Sequence, residues 1–486
     1  MSRSTRLLAG AAPASALMAA LLSACATVGP NFQAPAAPAT PGFAMAGDAR
    51  SSSVRLSPDV RVAGPWWQAL GSPELDAVIR QALADSPSIA EAKANLDKAR
   101  ADAQAVSGAA APQAGAEAGA ERERINTASF GFSGFPSPTI NLFSVGANVS
   151  YDLDLFGGQK RASEAASAKA EAEARRADAA YLSLTGNIAL QAVRVAGLRA
   201  QIAAAEQTVA DDKALLEIIA KAQAAGGAAR SSGSPAEAQL AKDEAKLPPL
   251  NQLLAQARHQ LALLSGKAPA DWTAPDFDLA GFTPPPQTPV ALPSSLVRTR
   301  PDIRAAEADL HAATADIGVA TAALYPDIKL TAGLTQSAIK PGDLFGYDAS
   351  GWNIGGGLTA PLLNGGTLKA RQRGAEAAAR ASMARYQQTV LTAFTQVSDV
   401  LSALANDDAE IAALTRQVEA GEREIRSTET AWKLGGGTLY DLVDTRRKIG
   451  EARMDLAEAK GQRLYDLVRL YAATASDWGA DQTKSG

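Results

Sequence analysis

The chain has 486 residues, of which 47% are hydrophobic and 20% are charged, so it is long enough for several domains or one large repetitive fold. Its formal net charge is -4 and no block of like charge occurs, which excludes a nucleic-acid partner. One cysteine and two histidines leave little material for a metal site or a thiol nucleophile. No phosphate loop or nucleophile elbow is found, so the sequence favours neither an enzyme nor a cofactor.

The N-terminal sequence has the pattern of a bacterial lipoprotein signal. Arg3 and Arg6 precede an apolar segment at 7–22, and the sequence Leu-Ser-Ala follows directly before Cys25. This ending resembles a lipobox, which implies cleavage before Cys25 and a covalent lipid on that residue. Two or more acyl chains are enough for stable anchoring, because each buried methylene contributes about 0.8 kcal/mol.

The two halves of the chain contain matching segments. Ser86-Pro87-Ser88-Ile89 corresponds to Arg300-Pro301-Asp302-Ile303, and Leu155-Phe156-Gly157-Gly158 corresponds to Leu363-Asn364-Gly365-Gly366. The spacing is roughly two hundred residues, too long for a solenoid unit, and indicates two copies of one large unit. The predicted divisions are a signal peptide at 1–24, a lipidated tether at 25–65, repeat 1 at 66–282, a Pro-rich linker at 283–293, repeat 2 at 294–478 and a tail at 479–486.

Each repeat contains a predicted helical hairpin, at 158–265 and 366–475. Apolar residues from Tyr181 to Val209 step by three and four alternately, and those from Val390 to Ile425 keep that spacing, which is typical of a heptad seam. An unbroken helix from Gln159 to Ala225 is on the order of 100 Å long, far beyond the mean helix of a compact domain. The seams alone fit both a coiled-coil stalk and a tunnel wall.

Glycine-rich segments mark the predicted hairpin tips, because glycine adopts the left-handed conformation that ends a helix. Ser234 and Thr438 are the expected N-caps of the returning helices, and Pro248-Pro249 is expected to interrupt the first of these. In the second tip we expect Leu434, Leu439 and Tyr440 to be exposed. The tip residues are Gly226, Gly227 and Ser234 in repeat 1, and Leu434, Gly435, Gly436, Gly437, Thr438, Leu439 and Tyr440 in repeat 2.

Two predicted strands precede each hairpin, at about 113–124 and 142–155, and at about 327–337 and 351–363. From Phe143 to Leu155 apolar residues alternate with polar residues or glycine, which fits a strand with lipid on one face and water on the other. A bulge at Pro361 is expected to shift this alternation in the last strand. A half-buried sheet of a soluble domain has similar alternation, so the strands alone leave both readings open.

Downstream of Cys25 no apolar run reaches the roughly eighteen residues of a transmembrane helix, so any membrane crossing has to be made by strands. Four strands cannot close a barrel, because the smallest membrane-spanning barrels need about eight and open edges are not tolerated in lipid. Three chains together provide about twelve strands and twelve helices. Two chains would form a barrel filled by its own side chains.

Several motifs recur in a fixed order: Cys25 to Pro35 (CATVGPNFQAP), Trp66-Trp67 with Leu70 and Pro73-Glu74-Leu75, Tyr151 to Gly157 (YDLDLFG), Arg300 to Arg304 (RPDIR) with Glu307, and Tyr325-Pro326. With the duplication, they resemble the TolC-like outer membrane factors, in the NodT-type lipoprotein branch that serves resistance-nodulation-division pumps. The resemblance covers nearly the whole mature chain. It implies a mixed α and β membrane protein, a trimeric 12-stranded β-barrel with four strands per chain that is continuous with a long periplasmic α-helical barrel.

The resemblance also implies a function, the exit duct of a tripartite efflux pump for drugs or other small molecules. The implied partners are two further copies of the chain, a periplasmic adaptor protein, an inner-membrane pump and outer-membrane lipid, and the only implied prosthetic group is the lipid on Cys25. A type I secretion duct and a structural coiled-coil lipoprotein are the alternatives. The alternation of apolar and polar residues in the strands distinguishes a duct from a coiled-coil stalk, because a stalk has no need of lipid-facing strands.

In such channels the hairpin tips touch the adaptor and side chains just inside narrow the closed pore. The short second tip is predicted to be the stronger adaptor contact. Charged residues near it are predicted to latch neighbouring helices in the closed state; they are Glu422, Arg426, Glu429, Asp441, Asp444, Arg446 and Arg447.

Replacing Cys25 by Ser is expected to abolish lipid labelling but not assembly, because the strands themselves would hold the chain in the membrane. Labelling with radioactive palmitate and the size of the purified protein measure the two properties. A Cys25→Ser protein, secreted through a non-lipoprotein signal, that is wholly soluble and monomeric would refute the barrel prediction.

Overall fold

The computed structural model describes residues 27–38, 40, 42–43, 45, 56–57, 65–131, 134–226, 229, 233–285, 288–289 and 293–474. The signal peptide, Cys25 and Gly227 lie outside these residues. The helices are α1 (Pro73–Asp85), α2 (Pro87–Ala109), α3 (Gly158–Ala224), α4 (Ser234–Glu244), α5 (Leu247–Leu264), α6 (Pro293–Thr299), α7 (Pro301–Ala322), α8 (Thr367–Lys433) and α9 (Leu439–Thr474). The strands are β1 (Leu56–Ser57), β2 (Gln113–Arg124), β3 (Thr139–Leu153), β4 (Thr288–Pro289), β5 (Asp327–Ala338) and β6 (Ser350–Thr359).

Helices α3 and α8 each contain 67 residues, and neither is interrupted by proline. The predicted seam of α3 is buried, from Leu184 to Val209. The seam of α8 is buried at Val390, Val397 and Leu404, but from Ile411 onward its apolar residues are only half-buried in the single chain. Among the helices in the described ranges, none combines the length and the apolar character required to cross a bilayer.

The two returning helices begin differently. In α9 the Asp441 N–H donates to Thr438 Oγ1 (3.1 Å) and the Thr438 N–H donates to Asp441 Oδ2 (3.2 Å), a reciprocal cap that confirms the predicted role of Thr438. The predicted cap at Ser234 is wrong, because the cap position of α4 is Gly233 and no side chain caps it. Ser234 already belongs to the first turn, where the following proline is well tolerated.

The return path of the first hairpin is broken between α4 and α5. Helix α4 ends at Glu244, and α5 starts at Leu247, directly before Pro248-Pro249. A proline lacks the N–H that an interior helical residue donates, so the pair is accommodated in the first turn of a new helix. The interruption predicted at these prolines is therefore present.

The described residues divide into two compact units, and each unit draws on both repeats. Unit 1 falls within residues 1–35, 95–173 and 305–386, and unit 2 within 36–94, 174–304 and 387–486. The predicted repeats follow one another along the chain, whereas each compact unit combines corresponding parts of both repeats. The repeat boundaries themselves stay a prediction.

Unit 1 contains a four-stranded antiparallel sheet in the order β2-β3-β5-β6. Strands from the two repeats meet where β3 pairs with β5, which explains why the copies share one unit. The predicted bulge at Pro361 is wrong, because β6 ends at Thr359 and pairs without interruption from Ser350 opposite Gln336 to Thr359 opposite Asp327. Pro361 lies beyond the strand, where no backbone N–H is required for pairing.

The core of unit 2 is centred on Trp66, which is completely buried. Its indole N–H donates to Thr185 Oγ1 (3.3 Å), and its ring stacks on Tyr471 with centroids 6.3 Å apart. Helices α3 and α9 therefore pack against the same side chain. The two helices also approach closely at glycine, since a Cβ on Gly450 would lie 2.6 Å from Thr208 Cγ2.

Replacing Gly450 by Ala is expected to lower the free energy of unfolding by about 1–3 kcal/mol, because the added methyl group overpacks the α3–α9 contact. Thermal unfolding of the purified protein measures the effect. Gly374→Ala in α8 is the matched control, since no atom lies within 4 Å of the added carbon. Its helix propensity should raise stability by up to about 1 kcal/mol, and equal destabilisation by both variants would contradict the packing explanation.

Candidate functional site

One face of the sheet in unit 1 is apolar across all four strands. The register aligns Ala116, Ala147, Leu334 and Trp352 in one row, and the row that contains Val149 and Ile354 has the same character. Trp352 is 78% exposed and Ile354 is 79% exposed. A soluble sheet buries such a face against a second layer, so large apolar side chains exposed together mark a surface made for an apolar environment.

The opposite face of the sheet is polar or carries no side chain. Gly115, Asn148, Gly333 and Asn353 form one of its rows. The outer strands β2 and β6 each pair on one side only within the described residues. The sheet thus has one apolar face, one polar face and two open edges.

The segment that follows Cys25 is docked, not free. Within unit 1 the Val28 N–H donates to the Phe156 carbonyl (3.0 Å). Arg161, only 3% exposed, donates to the carbonyls of Val28 (3.2 Å) and Gly29 (3.3 Å) and to Asn31 Oδ1 (2.6 Å). A buried guanidinium requires such acceptors, so Arg161 holds this part of the predicted tether against the start of α3.

Further contacts hold the same segment. Phe32 stacks on the ring of His311 with centroids 4.4 Å apart, and His311 Nε2 lies 2.9 Å from Glu164 Oε1. Arg161 Nη1 donates to Glu164 Oε2 (2.7 Å). Burial by itself would raise the pKa of Glu164, but the hydrogen bonds from His311 and Arg161 hold that pKa below its usual value. Cys25, the predicted lipid site, precedes this docked segment by two residues.

The second hairpin tip, in unit 2, is a tight glycine turn. Gly435 has a φ of 75°, and the Gly436 N–H donates to the Ala431 carbonyl (2.9 Å). Leu434 and Tyr440 are exposed, as predicted. Leu439 was also expected to be exposed, but it is half-buried against a cluster formed by Leu215, Ile219, Ala236 and Leu442.

The first tip begins at Gly226, where a φ of 79° ends α3. Gly226 has open space around its α-carbon, and Ser234 is exposed at the start of α4. Gly227 lies outside the described residues. Neither tip places a cluster of three or more His, Cys, Asp or Glu side chains for a metal ion, as far as the described residues extend.

Among the predicted gate residues, Arg446 connects three helices of unit 2. From α9 its Nη2 donates to Glu429 Oε1 on α8 (2.6 Å), and its Nη1 donates to the backbone carbonyl of Asp211 on α3. The Arg446 side chain is largely buried. Charge-assisted bonds are stronger where water is excluded, so Arg446 and Glu429 form a link between helices.

The other charges are held locally. Arg447 binds Asp444 (2.8 Å) and Glu451 (2.9 Å) on its own helix, and Asp441 serves the cap with Thr438. Hydrogen bonds from Lys448 and Arg447 hold the pKa of Asp444 below its usual value. Arg426 is exposed and forms no ion pair in the part of the chain that the structure describes.

Sequence reasoning missed Arg453 on α9, which also joins α9 to α3 and α8. Its Nη1 donates to Asp211 Oδ2 (3.2 Å) and its Nη2 donates to Glu422 Oε1 (3.3 Å), so Glu422 on α8 is joined to α9. Arg453 lies one heptad after Arg446, on the same face of α9. That spacing was the available signal, but the acceptor on α3 is far away in sequence and had no local marker.

The profile of the family described as outer membrane efflux protein matches residues 78–267 and 292–476. The pyoverdine export outer membrane protein OpmQ of Pseudomonas aeruginosa is 29% identical over 95% of this chain and 96% of its own. The cation efflux system protein CusC of Escherichia coli is 26% identical over 95% of this chain and 97% of its own. The open state of the MtrE outer membrane channel of Neisseria gonorrhoeae has a TM-score of 0.80 at 27% identity, covering 92% of this chain and 98% of that one. The outer-membrane channel OprN has a TM-score of 0.84 at 26% identity, with coverages of 93% and 99%.

Proposed function

This chain belongs to the outer membrane efflux protein family, and on that premise we propose that it forms, as a trimer, the exit duct of a tripartite efflux pump. It resides in the outer membrane and extends into the periplasm, and it is a transport component, not an enzyme. The observation that carries the proposal is the exposed apolar face of the sheet formed by β2, β3, β5 and β6.

In this proposal the apolar face lies against lipid and the polar face lines water. Edge strands in hydrocarbon need partners, because each unpaired backbone group costs several kcal/mol. Pairing β6 of one chain with β2 of the next satisfies both edges, and three chains close a ring of about twelve strands. The half-buried seam of α8 from Ile411 to Ile425 supports the same arrangement, since apolar residues left uncovered in one chain are available to pack against a neighbour.

The proposal assigns anchoring to unit 1 and partner contacts to unit 2. Lipid on Cys25 would be held near the start of α3, because Arg161 binds the chain shortly after that residue. The tips would dock a periplasmic adaptor, for which the exposed Leu434 and Tyr440 offer apolar contacts. An inner-membrane pump completes the tripartite assembly.

The cargo is proposed to be small molecules selected by the pump and not by this chain. Relatives 26–29% identical to it carry names that refer to pyoverdine, nodulation, antibiotics, cations and toluene. Such different associations at similar identity argue that the duct itself discriminates little. A coiled-coil stalk is disfavoured by the exposed sheet face, whereas a type I secretion duct would use the same architecture.

The sheet face is tested by Ile354→Lys, which places a charge on the apolar face next to the polar-face residue Asn353. A lysine facing lipid is expected to cost about 2–4 kcal/mol per chain near the middle of the membrane, so trimer recovered from the outer membrane should fall sharply. Asn353→Lys is the matched control and should insert normally. Equal insertion of the two variants would show that the two faces do not differ in environment.

The closed state is proposed to depend on Arg446 and Arg453, which tie α9 to α3 and α8. Removing one partly buried link costs about 1 kcal/mol per chain, and three chains together shift the closed state by roughly a hundredfold. Arg446→Ala is therefore expected to raise the conductance of the isolated trimer in a planar bilayer. Arg447→Ala, whose ion pairs stay within one helix, should leave it unchanged, and an equal response of both variants would refute the latch.

A further inference from the structure

Two aspartates face each other where α4 packs on α3. Asp212 is 4% exposed, and its carboxyl group lies against that of Asp243, which is 2% exposed. Asp212 Oδ2 is buried and has no hydrogen-bond donor among the described residues. Two ionised carboxylates are both acceptors and both negative, so this contact is favourable only when one of the two carboxyl groups is protonated.

The donors around the pair are already directed to Asp243. Lys246 Nζ lies 2.8 Å from Asp243 Oδ1, and Gln239 Nε2 donates to Asp243 Oδ2 (2.6 Å). The charged groups that face Asp212 from other positions are Asp211 on its own helix and Arg446 on α9. Arg446 Nη1 and Nη2 are bound to the Asp211 carbonyl and to Glu429, and its buried Nε makes no hydrogen bond to Asp212 Oδ2, which has no partner among the described residues.

A second buried aspartate, on α8, also lacks a hydrogen-bond donor. Asp407 is 8% exposed and its Oδ2 has no donor among the described residues, while the charge of Asp466 lies nearby on α9. Gln462 donates to Asp466 (2.6 Å) and Arg469 pairs with it (2.7 Å), with the same sequence spacing as Gln239 and Lys246 around Asp243. Asp408 and Glu410 on α8 and Arg463 on α9 are the other charges that act on Asp407.

We propose that Asp212 and Asp243 form a proton-binding site that fastens α4 to α3. In this site a proton from water binds Asp212, and the resulting O–H donates to the carboxylate of Asp243. Loss of that proton to water leaves two like charges in contact, which pushes the helices apart. Because Asp211 also holds Arg446 and Arg453, the site would make the tip region of the duct tighter in acid.

The pKa values of Asp212 and Asp243 are shifted in opposite directions. Burial, followed by the contact and charge of Asp243, raises the pKa of Asp212 to about 7. Burial by itself would also raise the pKa of Asp243, but the hydrogen bonds from Lys246 and Gln239 hold that pKa below its usual value. Burial and the charge of Asp466 raise the pKa of Asp407 to about 6. A carboxyl group with a raised pKa stabilises the closed contact fully below its ordinary value of 3.8, and this stabilisation is lost as the pH rises to the raised pKa.

Hydrogen–deuterium exchange of the full-length protein in lipid nanodiscs tests the Asp212–Asp243 site through the amides of α4. After correction for intrinsic exchange, the opening equilibrium of α4 is expected to rise roughly tenfold per pH unit from pH 5 to 7 and then to level off. Asp212→Asn carries a neutral side chain that donates to Asp243, so its α4 should stay protected and lose this pH dependence.

Glu244→Gln is the matched control. Glu244 directly follows Asp243, is exposed and pairs only with Lys213 among the described residues (2.9 Å). It should keep the wild-type pH profile. Parallel profiles for wild type and Asp212→Asn, or loss of pH dependence in Glu244→Gln, would overturn the proposal. The site lies within one chain, so a failure to form trimers or to conduct ions would not alter this readout and would count only against the exit-duct proposal.

Discussion

Satisfaction of backbone hydrogen bonds in an apolar environment is the constraint on which the rest of this structure depends. The sheet exposes Trp352 and Ile354 on one face, and β2 and β6 have unpaired edges within the described chain. A surface of this kind is stable in lipid only when the edges are paired, because hydrocarbon offers no hydrogen bonds. A closed ring of several chains follows from that requirement, and so does the need for helices with apolar surface left for neighbours.

Buried arginines hold separate segments of the chain together. Arg161 holds the segment after Cys25, and Arg446 and Arg453 hold α9 against α3 and α8. Guanidinium groups suit such positions, because they stay charged and offer several donors in a fixed geometry. Asp212 and Asp243 differ from these arginines, because a hydrogen bond between them forms only when one of the two is protonated. The permanent links of Arg446 and Arg453 to Asp211 and the titratable contact of Asp212 thus involve adjacent residues of α3.

Much of the fold was predictable where a local pattern decided it. Alternation from Phe143 onward placed β3, heptad spacing placed α3 and α8, and cap chemistry placed Thr438 at the start of α9. The error at Ser234 arose because a residue suited to capping lies next to Gly233, the actual cap position, and the error at Pro361 arose because this proline lies just beyond the end of β6. Both are boundary errors, which local propensity resolves poorly.

The candidate site was predictable only in part, because its contacts join residues far apart in sequence. Arg446 and Glu429 were selected from their nearness to the tip, and the structure joins them across helices. Arg453 was missed because its partner Asp211 lies on another hairpin. The docking of Val28 by Arg161 was hidden in the same way, since the two residues are far apart in sequence.

Three copies of this chain are proposed to enclose one water-filled path through the membrane. Single-channel recording of the purified protein in a planar lipid bilayer, with the particle mass measured beforehand, tests this proposal. We predict a particle of three chains that inserts and conducts ions in uniform steps. A protein that remains a single chain and leaves the bilayer insulating would refute the exit-duct proposal.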